Sequence, residues 1–270
     1  MKTRILTAIV MIAVFGTIVV FGEGDLSFLF SGGILILTVA GSYEFMIRAH
    51  RAQKVIYWYH YLPIGLSALF VFVNMLFFNE PHYYQILALM MLTIVMMYFI
   101  LYLFDQHMHR GELGVSLVGV FYLGIGFSGL AFIRQLGLTN FIYLILITVS
   151  TDTFAYFIGI RFGKHKLMPK VSPKKSIEGA IGGLVMAGVI GSIFALSYDL
   201  FDHHIMVVVL VTLGLSMVSQ AGDLVASKFK REVKIKDYSH LFPGHGGVLD
   251  RFDSLLFAGA FFMIITMVIS

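Results

Sequence analysis

The chain has 270 residues, of which 59% are hydrophobic and 13% charged, and its mean hydropathy is +0.89. A soluble domain carries charge on roughly a quarter of its residues, so this composition excludes one and points to a polytopic membrane protein. Having no cysteine, the chain cannot use a disulfide framework, a thiolate nucleophile or a cysteine zinc site, and its net charge of +4 is too unevenly spread to indicate a nucleic-acid partner.

Apolar runs of about 17–25 residues can cross a bilayer. Nine follow one another, at 5–21, 27–47, 56–78, 84–104, 114–134, 139–162, 179–198, 204–227 and 253–269, with the fifth and sixth least cleanly separated. Lys2 and Arg4 suit the charged start of a signal peptide. The first run is long for one, however, and no small-residue cleavage site follows, so a retained helix is expected. Numbering the connections alternately places Lys2, Arg4, Arg48, Arg51, Lys54, Arg110, the basic residues of 161–175 and those of 228–251 on one side. Of the 19 lysines and arginines only Arg134 falls on the other side. Such residues collect on the cytoplasmic face. The expected fold is all-α, a bundle of about nine transmembrane helices with a cytoplasmic N-terminus. Residues 1–135 would form the N-terminal transmembrane helices and 136–270 a C-terminal transmembrane region that carries the charged segment 227–253.

Tyr57, Trp58, Tyr59 and Tyr61 follow Lys54 and suit an interfacial aromatic belt. Thr151, Ala155, Gly159 and Gly163 line one face of the sixth span, and Gly179, Gly183, Ala187 and Gly191 one face of the seventh. Small residues at every fourth position let helix backbones approach closely, within one chain or across a homodimer.

Polar residues gather in the C-terminal half. Ser150, Thr151 and Asp152 interrupt the sixth span, Gln220 and Asp223 the eighth. Charge inside a membrane is costly and commonly marks a site of chemistry or transport. Asp223 and Ser227 are one helical turn apart and can share a face, as can Asp250 and Asp253 at i, i+3. Adjacent carboxylates repel unless a cation or proton lies between them, and Mg2+, which takes one or two carboxylates and fills its shell with water and phosphate, is a natural occupant. A helix N-terminus favouring acids through its dipole explains Asp253 as well. The turn Pro243-Gly244-His245-Gly246-Gly247 before them can present backbone N–H groups to an anion. A second basic connection runs through Lys164, Lys166, Lys170, Lys174 and Lys175. Ser176 can cap the seventh helix with Glu178 in its first turn, holding Lys174 and Lys175 at a helix N-terminus. His107-His109 and His203-His204 lack companion ligands at a recognised zinc spacing.

The segment from Ser227 to Asp253, SKFKREVKIKDYSHLFPGHGGVLDRFD, resembles the signature of phosphatidate cytidylyltransferases (CDP-diacylglycerol synthases) at every specified position. Two further blocks are similar to the same family. One is Asp152-Thr153-x-Ala155-Tyr156-x2-Gly159 with Gly163-Lys164. The other is Ser172-Pro173-Lys174-Lys175-Ser176-x-Glu178-Gly179, with Ser176 where threonine is frequent. The resemblance covers about the last 130 residues; the N-terminal half shares mainly the hydrophobic pattern.

The resemblance implies transfer of CMP from CTP to phosphatidic acid, giving CDP-diacylglycerol and pyrophosphate at the cytoplasmic face of the cell inner (plasma) membrane. It implies Mg2+, alone or with a second cation, on Asp223, Asp250 and, less firmly, Asp253. Asp223, Lys236 and Asp250 would be catalytic. Lys174, Lys175, Ser227, Lys230, Arg231, His245, Gly246, Gly247 and Arg251 would bind substrate, in a polar cavity among the sixth to ninth helices. A CTP-dependent polyprenol kinase should lack the full signature, and the paired-aspartate pattern of CDP-alcohol phosphatidyltransferases is absent. A repeat-type transporter should show matching broken helices in both halves, whereas these polar residues lie in one.

Overall fold

The structure is a computed structural model that describes residues 13, 15–22, 27–49, 57–202 and 204–269. Eight helices among the described residues are long and apolar enough to cross a membrane. They are α1 (Ser27–Ala49), α2 (Leu62–Phe77, which spans as Trp58–Phe77 together with the 3-10 turn before it), α3 (Tyr83–Phe104), α4 (Arg110–Gln135), α5 (Leu138–Phe162), α6 (Ile177–Ser197), α7 (Ile205–Glu232) and α8 (Leu249–Ile269). They correspond to the second through ninth expected spans. The first, 5–21, lies largely outside the described residues, although 15–21 are helical.

Hydropathy explains these elements better than amphipathicity does. In α3 only Tyr83, Leu87, Ile94 and Tyr98 are buried; Leu89, Leu92, Met96, Phe99, Ile100 and Leu103 are exposed. A helix that is apolar all round yet buries a single stripe is stable only with lipid against the rest of it. The chain is a multi-pass membrane protein. The fifth and sixth expected spans, α4 and α5, part at Gly137, whose φ of 138° suits glycine alone.

The connection after α5 is not a plain loop. β1 (Lys166–Met168) and β2 (Ser172–Ser176) pair antiparallel, Lys166 opposite Ser176 and Met168 opposite Ser172. Strands this short carry too little alternation to stand out in the sequence.

The chain divides into two compact units, Met1–Phe132 with Tyr238–Leu249 and Ile133–Asp237 with Asp250–Ser270. In the first, Gly119 lies against Phe45 and Met46, and Gly124 against Phe70 and Ser67. Trp58 and Tyr61 are exposed, as a belt requires, but Tyr59 is fully buried and donates its hydroxyl to Glu112 Oε2 at 3.2 Å. A 3-10 turn over Trp58–His60 rotates Tyr59 away from its neighbours and inward. His107, set aside as a zinc ligand, stacks on Tyr57 with ring centroids 4.9 Å apart; His203 lies outside the described residues.

In the second unit the small-residue faces of α5 and α6 meet each other. A Cβ on Gly183 would lie 2.6 Å from the Thr151 carbonyl oxygen, and one on Gly179 would lie 2.6 Å from that of Ala155. Buried hydroxyls add interhelical hydrogen bonds, Tyr143 to Thr212 at 2.7 Å and Thr151 to Ser216 at 2.8 Å. Gly183→Leu should therefore destabilise the folded protein by about 1–3 kcal/mol through overpacking. Gly65→Ala, with nothing within 4 Å of the new methyl, should not. Thermal unfolding in detergent separates the two, and equal midpoints would contradict this packing.

Candidate active site

The polar residues of the second unit surround a cavity of about 780 Å3. Asp152, Tyr156 and Gly159 of α5 line one wall, Lys166, Lys174 and Lys175 of the hairpin a second, and Gln220 and Asp223 of α7 a third. The residues lining it come from α5, the hairpin, α6 and α7, whereas the expectation included the ninth span, α8, which contributes none of the described lining residues.

Local chemistry fixes the hairpin wall. Ser176 caps α6 as expected, its Oγ accepting from Gly179 N at 3.2 Å. Glu178, in the first turn, accepts from the backbone N–H of Lys164 at 3.1 Å and of His165 at 3.2 Å, and pairs with His165 Nδ1 at 2.6 Å. The chain leaving α5 is thus tied to the chain entering α6. Gly159 keeps this corner tight, since a Cβ there would lie 3.0 Å from Ser176 Oγ. Held in this way, β2 directs Lys175 to Asp223, and the two form an ion pair. Asp223 Oδ1 also accepts from Ser227 Oγ at 3.5 Å, which places the expected i, i+4 pair on one face. Arg231 donates to the carbonyls of Val171 and Ile235 at 3.4 and 3.1 Å and fastens the hairpin to the end of α7.

A second charged contact joins α7 to α8. Lys230 Nζ lies 2.9 Å from Asp250 Oδ1 and 3.8 Å from Asp253 Oδ2. Its side chain is 10% exposed and that of Asp250 only 3%. Both carboxylates therefore occupy one helix face, as their spacing requires, with an ammonium between them. Gly222 lets the helices come this close, because a Cβ there would lie 2.8 Å from the Asp253 carbonyl oxygen and from Phe257 Cβ. Asp152, Asp223 and Asp253 are near enough to interact through their charges, and Ser254 lies beside Asp152. Asp152 interrupts its span in the sequence without carrying a site assignment there; the fold sets it on the cavity wall with Asp223.

The donor chemistry around this cavity suits a hard divalent cation. It offers carboxylate oxygens from Asp152, Asp223, Asp250 and Asp253, set among Lys166, Lys174, Lys175 and Lys230, so that acids and ammonium groups balance. With these side chains turned to the lysines, no three acidic or histidine groups among the described residues converge as metal ligands.

The remaining signature residues, Tyr238–Leu249, belong to the first unit. Phe242 and Gly246 form a bridge around a turn in which Gly244 and Gly246 adopt φ of 78° and 86°. The N–H groups that meet an anion belong to the two residues after the turn rather than to Pro243–Gly247, and the anion is a protein carboxylate. Glu44 of α1 accepts from Val248 N and Leu249 N, each at 3.1 Å, and from Ser239 Oγ at 2.5 Å. A Cβ on Gly247 would lie 2.5 Å from Glu44 Oε2. His245 has a buried Nδ1 with no hydrogen-bond partner among the described residues. Lys174, Lys236 and Arg251 are exposed.

A multi-pass helical membrane protein with clustered carboxylates and lysines around a polar cavity has the build of a membrane-embedded transferase acting on phosphate groups. The chain belongs to the cytidylyltransferase family of nucleotidyltransferases, which it matches over residues 2–269. It is similar to the phosphatidate cytidylyltransferase of Bacillus subtilis (strain 168), 36% identical over 274 residues that cover 97% of this chain and 96% of that one. It is also similar to the phosphatidate cytidylyltransferases of Staphylococcus saprophyticus (33%) and Staphylococcus epidermidis (35%), each over 261 residues and 95% of both chains.

Removing Lys230 would leave two buried carboxylates without their ammonium. Lys230→Met should cost about 3–5 kcal/mol of stability, because a broken buried pair loses more than its net worth. Adding Asp250→Asn should recover part of that. Denaturation of the single and double variants in detergent tests this, and a stable Lys230→Met would contradict it.

Proposed function

We propose that this protein transfers CMP from CTP to phosphatidic acid, forming CDP-diacylglycerol and releasing pyrophosphate, and that the cavity of the second unit is where it does so. The observation that carries this reading is the meeting of Asp152, Asp223 and Lys175 on one cavity wall system, with Lys230, Asp250 and Asp253 joined to it by charge, in a chain matching the family along its length.

In this reaction a phosphate oxygen of phosphatidic acid forms a bond to the α-phosphorus of CTP while the bond to the β-phosphate oxygen breaks. Both reactants are anions, so the barrier is set by charge repulsion and alignment, and no protein nucleophile is required. Bound Mg2+ supplies charge neutralisation and a template for the phosphates. Asp223, Asp250 and Asp253 would hold it, alone or with a second cation, and Asp152 stands beside Asp223. Lys175 and Lys230, engaged with these carboxylates, would be freed to meet phosphate when a cation takes their place. Lys174, Lys236 and Arg251 are exposed cations suited to steering a triphosphate. Ser227 and Arg231 order the Asp223 helix end and the hairpin. His245, Gly246 and Gly247 would shape the turn that precedes Asp250.

The asymmetry of lysine and arginine supports a cytoplasmic N-terminus, with the hairpin and the end of α7 on the cytoplasmic side of the inner membrane. CTP would arrive from water and phosphatidic acid from the bilayer. The small faces of α5 and α6 are occupied by each other, so a homodimer would use other surfaces.

The test is synthesis of CDP-diacylglycerol by the purified protein. Chelation of Mg2+ should abolish it. Asp223→Asn and Asp250→Asn should each lower turnover by about 100–1,000-fold, as loss of an electrostatic stabiliser does. Both variants remaining near wild-type activity would overturn this site.

A further inference from the structure

Glu44 is a carboxylate in the last two turns of an apolar helix and is only 7% exposed. Such a group is stable in a membrane protein only if its charge is met by donors. Among the described residues its donors come from one distant segment: Ser239 Oγ and Val248 N to Oε1, and Leu249 N to Oε2. Leu249 opens α8, so its N–H is among those that a helix N-terminus leaves without an intrahelical partner. Glu44 therefore caps α8 from another helix, and its negative charge lies at the positive end of the α8 dipole.

Two more contacts, both within the first unit, make this a clamp. Arg48, one turn further along α1 and so on the same face, donates from Nε to the Tyr238 carbonyl at 2.6 Å. The α1 helix thus grips the segment at Tyr238–Ser239 and again at Val248–Leu249. Gly247 is required between them, since any side chain would begin 2.5–2.7 Å from the atoms of the Glu44 carboxylate.

In the chain, the gripped segment is bounded by Asp237 and Asp250. We propose that Glu44, aided by Arg48, is a positioning residue for the reaction: by fixing the first N–H groups of α8 it sets the direction in which Asp250 and, one turn later, Asp253 are presented. This rests on the functional reading above. A displacement of about 1 Å in a catalytic group can cost 100-fold in rate, so a buried cap one residue from Asp250 has leverage on catalysis without touching substrate.

Glu44→Gln keeps the size of the side chain but replaces one acceptor with a donor facing N–H or hydroxyl groups. In the purified full chain it should lower kcat by about 10–100-fold, as loss of an orienting contact does, and raise the Mg2+ concentration for half-maximal activity. KM for CTP should stay within about twofold, because no contact to the nucleotide is removed. Glu44→Asp should restore part of kcat. Independently of activity, amide exchange at Val248 and Leu249 should accelerate in Glu44→Ala, with protection elsewhere in the chain retained. If kcat per folded molecule and Mg2+ dependence are unchanged in both Glu44→Gln and Glu44→Ala, the positioning role is wrong. If the wild type makes no CDP-diacylglycerol, it is the functional reading that falls. The exchange arm then decides the clamp by itself: unaltered Val248 and Leu249 exchange in Glu44→Ala refutes it, and faster exchange upholds it.

Discussion

Lys230 sits almost dry between Asp250 and Asp253, and this contact ties the end of α7 to the start of α8. Helices that face lipid cannot leave charge unmet, because desolvating a lone carboxylate or ammonium costs several kcal/mol. The chain must therefore fold so that its few acids find cations or donors. Asp250 and Asp253 find Lys230, Asp223 finds Lys175, and Glu44 finds Ser239 with two backbone N–H groups. In the second unit these acids share one cavity with lysines, Asp152 and Asp223 beside Lys166, Lys174 and Lys175. Carboxylates beside ammonium groups are an arrangement that can meet a divalent cation and an anionic nucleotide together.

These pairings are permitted by small residues. Gly222 lets α7 and α8 approach closely enough for Lys230 to span to both aspartates. Gly179 and Gly183 seat α6 on α5, and the Ser176 cap then aims β2 and Lys175 toward Asp223. Where lipid competes equally for apolar surface, close backbone approach and interhelical hydrogen bonds carry the specificity of packing. Glycines in the interior of this chain thus place its charges.

The sequence made the helices and the charged segment legible for the same reason. Hydropathy is a property of the local run, and polar residues inside such runs stand out against it. The pairing of Asp250 with Asp253 could be read from helical spacing; that Lys230 fills the space between them could not, since it depends on how α7 meets α8. The glycines at 246 and 247 announced a close backbone approach, but the anion that approaches is Glu44, 204 residues before Val248 in the chain. A signal for it did exist, as a lone acid inside the apolar run 27–47 is itself unusual. The hairpin stayed hidden because its strands are three and five residues long. Tyr59 was misplaced because a single 3-10 turn reverses which aromatic ring faces lipid.

The central claim is that a cytidylyl group, and no other part of CTP, passes to the lipid. Purified protein given phosphatidic acid, a prenol and Mg2+ should be supplied in parallel with CTP labelled at the α-phosphate and at the γ-phosphate. The account predicts that the α-label appears in lipid and the γ-label in water-soluble pyrophosphate. The γ-label in lipid, with the α-label left in solution, would mean phosphoryl transfer by a lipid kinase and would contradict it.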